Sequence, residues 1–82
     1  MKLWLLEAIE DSGPWDKWYD KAFSFVVRAN TEEEARALAS GNCGDEYYAS
    51  EGMAWKSPKY STCTQLLAKG KAEVVIRNFA AA

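Results

Sequence analysis

Between Phe23 and Thr31 the repeat of apolar residues changes from two to between three and four, and this junction constrains the fold more than any other stretch. Phe23, Phe25, Val27 and Ala29 fall on one face of an extended chain, with Ser24, Val26 and Arg28 on the other, so Phe23 to Ala29 is predicted as a strand. The chain then turns at Asn30. Thr31-Glu32-Glu33-Glu34 reads as a capping box, in which the Thr hydroxyl accepts a first-turn amide and Glu34 reaches back to the Thr31 amide. Three carboxylates here also suit the positive end of the helix dipole. Ala35, Leu38 and Ala39 supply a narrow apolar stripe, small enough to let the helix sit close to a sheet. Gly41 is placed to end the helix in a left-handed conformation.

Three further strands are predicted around this unit. Leu3 to Ile9 is one, ended by the turn-forming loop Glu10-Asp11-Ser12-Gly13-Pro14. Tyr60 to Leu67 and Ala72 to Phe79 are two more, rich in Thr, Val and Ile and joined by Ala68-Lys69-Gly70-Lys71 as a hairpin. The order strand, strand, helix, strand, strand implies an α+β fold. We expect a mostly antiparallel four-stranded sheet with one helix packed on a face and aromatic-rich loops. With 82 residues the chain makes one domain, 1–82. It buries only about 60–65% of its unfolded surface, so the core is thin and leaves no room for a deep enclosed active site.

The net charge of −2 argues against a general affinity for nucleic acid or anionic lipid. The charge is uneven: residues 1–51 carry five basic and eleven acidic side chains (−6), whereas residues 52–82 carry five basic and one acidic (+4). A polarised surface that could orient a partner follows if the halves stay apart in space. Met1-Lys2 runs directly into Leu3-Trp4-Leu5-Leu6, too short an apolar run for a signal peptide or a membrane span. A cytoplasmic location with no membrane partner is therefore expected, and Cys43 and Cys63 are expected to be free thiols.

The chain lacks His and a CxxC spacing, which removes thiol-rich zinc sites and Cys–His nucleophilic pairs. Carboxylate pairs such as Asp16/Asp20 and Asp45/Glu46 have no spacing that forces them into one cleft. Phosphate-binding Gly-rich loops and a Ser-based elbow are missing as well. No enzymatic activity, cofactor or metal is expected.

Four Trp in so short a chain is the most unusual feature. Trp15, Trp18, Tyr19, Tyr47, Tyr48, Trp55 and Tyr60 lie mostly in the two long connections rather than the strands, and Trp and Tyr are enriched at interface hot spots. Trp15, Trp18 and Tyr19 share one face if Trp15 to Asp20 takes a helical turn. Tyr47, Tyr48 and Trp55 lie in the irregular stretch 42–59, which a short helix over Asp45–Ser50 interrupts. Trp15, Trp18, Tyr19, Tyr47, Tyr48 and Trp55 form the candidate partner-binding set, and the two segments are expected to meet on one side of the domain. The competing reading makes the same rings a plug for the open side of a thin sheet.

Lys21-Ala22-Phe23-Ser24-Phe25-Val26-Val27-Arg28 imitates the octamer of RNA-recognition motifs, whose strand aromatics stack on bases. Ala22 stands where that octamer has Gly, Arg28 where it ends on an aromatic, and the segment comes too early in the chain. A nucleic-acid-binding module using Phe23 and Phe25 is thus the alternative function, and nucleic acid is not the expected partner.

The stretch Pro14-Trp15-Asp16-Lys17-Trp18-Tyr19-Asp20-Lys21, with Phe25-Val26-Val27-Arg28-Ala29, Thr31-Glu32-Glu33-Glu34-Ala35-Arg36, Ser61-Thr62-Cys63 and Ile76-Arg77-Asn78-Phe79, resembles small proteins encoded by bacteriophages and prophages that have no assigned function. The resemblance covers most of the chain. It implies a phage-type inhibitor of a bacterial host protein or complex, of the anti-CRISPR or anti-defence kind; a structural phage subunit stands beside this as a further alternative. It implies no particular binding residue, and a homodimer is left open.

Overall fold

A computed structural model of the protein describes residues 1–15 and 20–77. Strand β1 (Lys2–Ala8), strand β2 (Ser24–Ala29), helix α1 (Glu32–Ser40), the short helix α2 (Glu46–Ala49) and strand β3 (Ser61–Leu66) follow in that order. A single 3₁₀ turn, Glu10–Ser12, lies in the loop after β1. The fold class is α+β.

Among the described residues the sheet has three strands, ordered β2-β1-β3, with both neighbours antiparallel to β1. Leu6 faces Phe25 on one side and Cys63 on the other. Strands β2 and β3 are therefore parallel to each other, so the chain between them must cross over the sheet. Helix α1 and the stretch 41–60 make that crossing.

Period-two alternation sorts the sheet residues into two faces. Leu6, Phe25, Val27, Ala29, Ser61 and Cys63 meet the helix side. There Ala35 and Ala39 of α1 join Leu6, Ala29, Trp15, Ala54 and Trp55 in one continuous buried cluster. Fully buried alanines bring the helix backbone close to the sheet, as their size permits.

The capping box forms with one shift. Thr31 Oγ1 accepts the Glu34 amide at 3.2 Å, whereas Glu34 Oε1 accepts the amide of Asn30 at 3.0 Å, one residue upstream of the expected Thr31. Gly41 stays right-handed, with φ −76°. No left-handed residue is needed there, because the Asn42 side chain donates to the Leu38 carbonyl at 2.8 Å. The buried stripe is also rotated: Ala35, Arg36, Ala39 and Ser40 are buried, while Leu38 is 44% exposed. Arg36 draws the helix round, since its guanidinium donates to the Trp55 carbonyl and to Ser61 Oγ, both at 3.0 Å, and to the Ser61 carbonyl at 3.1 Å. Glu32, one turn earlier, accepts from its Nε at 2.9 Å.

The expected fourth strand is not found among the described residues. Ala72 to Arg77 pairs with no strand, and Val74 is 79% exposed; Asn78 and Phe79 lie outside the described residues. Two physical reasons account for this. Gly70 takes φ +146°, far from the ~+57° left-handed value that a Gly-bulge hairpin uses. In addition, β-propensity expresses side-chain packing on a pleated surface, and this run follows another course. Glu73 and Val75 border a cleft with Leu5, Glu7 and Thr64, and Ile76 and Arg77 border another with Glu7 and Ser24. The run thus crosses the face of the sheet opposite the helix, where Leu5 is buried.

Candidate partner-binding surface

The stretch after α1 is anchored by one buried carboxylate. Glu46 has almost no exposed surface. Its Oε2 accepts the Trp55 indole N–H at 2.8 Å and the Ala22 amide at 3.1 Å, and its Oε1 accepts the Gly44 amide at 2.9 Å. Three donors from three chain segments satisfy a group whose burial would otherwise be costly. The Asp45 amide adds a bond to the Asp20 carbonyl at 2.6 Å. Gly44 makes this approach feasible: a Cβ there would collide with the Asp20 carbonyl oxygen and lie 2.9 Å from Lys21 Cα.

The described rings of the two aromatic segments divide between two fates, Trp15 and Trp55 in the core and Tyr47 and Tyr48 in solvent. Trp15 and Trp55 meet edge-on, with centroids 5.0 Å apart, and Phe25 meets Trp55 edge-on at 4.9 Å. Trp55 is 0% and Trp15 6% exposed, and the Trp15 indole N–H donates to the Tyr60 carbonyl at 3.0 Å. These two rings plug the sheet and present no contact surface to a partner, which corrects their place in the candidate set. Trp18 and Tyr19 lie outside the described residues. Trp4 belongs to the sheet and donates to the Ala29 carbonyl at 3.1 Å.

Tyr47 and Tyr48 face outward. They stand on α2, and Tyr48 is 80% exposed. The two rings pack edge-on with centroids 5.5 Å apart. Gly52 supports the Tyr47 ring from below: it takes φ +83°, and a Cβ there would come within 3.2 Å of Tyr47 Cζ. Its amide also donates to the Tyr47 carbonyl at 2.6 Å. Met53 is exposed nearby in sequence. From Gly41 to Trp55 the chain holds three carboxylates and no Lys or Arg. Asp45 and Glu51 are exposed, whereas Glu46 is buried. Along the chain, the ring pair is flanked by these two exposed carboxylates.

Phe23 and Phe25 do not form a matched pair of stacking rings. Phe25 is half-buried against Trp55, and Phe23, more exposed, lies 6.2 Å from Trp15 with the Lys21 ammonium 5.4 Å from its centroid. Both cysteines are free. Burial, and secondarily the Glu46 charge, pushes the Cys43 thiol up from its ordinary value. Burial and the Glu32 charge do the same to Cys63, against the pull of Arg36. Both therefore stay protonated near neutrality and are poor nucleophiles. No group of three or more His, Cys, Asp or Glu among the described residues could hold a metal ion. No helix among them is long and apolar enough to cross a membrane.

The described residues define a small α+β protein with a three-stranded antiparallel sheet, one main helix and an outward pair of tyrosines. Comparison with protein-family models, with curated proteins and with solved structures gave no match.

Sequence reasoning missed Glu46 and Arg36, the buried charged residues among those described, which hold the irregular stretch in place. Arg36 left one legible signal, its i,i+4 spacing from Glu32. Glu46 left none, because a Glu beside an Asp at the start of a short helix reads as solvated.

Proposed function

We propose that this is a non-enzymatic binding protein that engages a bacterial host protein or complex through Tyr47 and Tyr48, as a phage-type inhibitor of host defence. The observation that carries the reading is the pair of outward rings held on a braced loop. Large aromatics left in solvent usually mark an interaction site, and a ring pair fixed in place loses little entropy when it binds. The exposed carboxylates of Asp45 and Glu51 favour a partner with basic groups around an apolar pocket. The anti-defence part of the proposal rests on the resemblance to small phage proteins.

Two measurements test it. Tagged protein is incubated with bacterial lysate beside a Tyr47→Ala/Tyr48→Ala variant. A retained host protein that the variant loses supports the binding surface; equal retention by both refutes it. Expression in a host with active CRISPR immunity should raise the plating efficiency of a targeted phage, and unchanged plating across several immune systems would remove the anti-defence part.

A further inference from the structure

We propose that the outer edge of β3 is a self-association site, occupied by β3 of a second copy of this chain in a two-fold antiparallel arrangement. The Ile9 amide donates to the Tyr60 carbonyl at 2.9 Å, one step beyond the Ala8–Ser61 pair in the ladder. Hydrogen-bonded pairs alternate along an antiparallel ladder, so Thr62, Thr64 and Leu66 turn both N–H and C=O toward β1, whereas Tyr60 turns only its carbonyl there and donates its amide to the Ser57 carbonyl at 3.1 Å. Ser61, Cys63 and Gln65 turn theirs to the outer edge. Ser61 is already satisfied there, its amide donating to the Ser57 carbonyl at 3.2 Å and its carbonyl accepting from Arg36. Cys63 and Gln65 pair with no further strand among the described residues.

That leaves a short free run centred on Thr64, which fixes the register. Cys63 of one copy exchanges both backbone bonds with Gln65 of the other, and Gln65 with Cys63, giving four hydrogen bonds. Thr64 lies opposite its own symmetry mate, and Leu66 lies opposite Thr62. The product is one continuous six-stranded sheet.

Edge strands that must stay single carry charges, Pro or bulges. Ser61-Thr62-Cys63-Thr64-Gln65-Leu66 has no charge, no Pro and no Gly, so nothing repels an identical strand. Strand β2, the other edge, carries the guard residue Arg28. Exposed Leu67 follows the strand and gains cover from the second copy. The contact is small for a protein interface, so association is concentration-dependent rather than obligate.

Light scattering of the full chain under reducing conditions, across a concentration series, tests this. Wild type should move from monomer to dimer. Gln65→Pro removes only an outward amide and should stay monomeric with an unchanged fold by circular dichroism. Thr64→Lys and Thr64→Glu place like charges directly opposite each other, so each alone should be monomeric. Their equimolar mixture should recover the dimer. Wild type that is monomeric throughout overturns the proposal. So does a dimer that survives Gln65→Pro, that is lost on Val26→Lys in β2, or that fails to return on mixing.

Discussion

Glu46 is the residue on which the irregular half of the molecule depends, since its carboxylate ties 22, 44 and 55 together. Glu46→Gln replaces one acceptor oxygen by a donor and leaves at least one buried N–H unpaired, an expected loss of about 1–3 kcal/mol. Glu46→Ala strands all three donors and should cost more. Urea denaturation of both variants decides this, and an unchanged midpoint in Glu46→Ala would show that the carboxylate holds nothing. The thiols carry a pH consequence. Both have raised values in the fold, so the stability tied to their protonated form is fully present below the unfolded thiol pKa of about 8.5. It is lost as pH rises through the folded values. Stability should fall above about pH 8.5, and a Cys43→Ala/Cys63→Ala variant should show a smaller fall over the same range. Equal slopes for the two proteins would contradict the assignment.

At the scale of elements, the strand-to-helix junction was the most legible part of the fold. Period-two alternation at 23–29 and the Thr31 box each yielded an element within a residue of its observed limits, because local chemistry alone determines both. Thr31→Ala should cost about 0.5–2 kcal/mol through the lost cap, read as a shifted denaturation midpoint. The fourth strand was misread because Val74, Val75 and Ile76 fit a strand by composition, whereas pairing depends on a turn that Gly70 does not make. The α1 stripe was misread because an apolar count ignores Arg36, whose long side chain buries itself by reaching backbone and hydroxyl acceptors on β3. Phe25, on the face that the alternation shares with Val27 and Ala29, packs on the helix side against Trp55. Its removal in Phe25→Ala should cost about 3 kcal/mol, the lower end for a Phe because the ring is only half-buried. A thermal melt measures this directly, and near-normal stability would mean that the Trp55–Phe25 contact is not part of the core.

For the whole molecule, the sequence announced an aromatic surplus but could not divide it. Core and interface both take Trp and Tyr, and only the position of each ring relative to the Glu46 anchor separates them. Trp15 and Trp55 fill the thin core that one alanine-lined helix cannot, while Tyr47 and Tyr48 are turned out by the same loop. The exposed carboxylates that flank them along the chain imply that partner association slows as salt rises; an on-rate independent of ionic strength would remove the charge argument. The most direct test compares the affinity for the captured host protein and the melting temperature in Tyr48→Ala and in Trp55→Phe. Tyr48→Ala should lose about 2 kcal/mol of binding, roughly 30-fold, with the melt unchanged. Trp55→Phe should lower the melt and, in the fraction that remains folded, keep full affinity. Intact binding by Tyr48→Ala, or a specific loss of binding by folded Trp55→Phe, would contradict the division of rings on which the account rests.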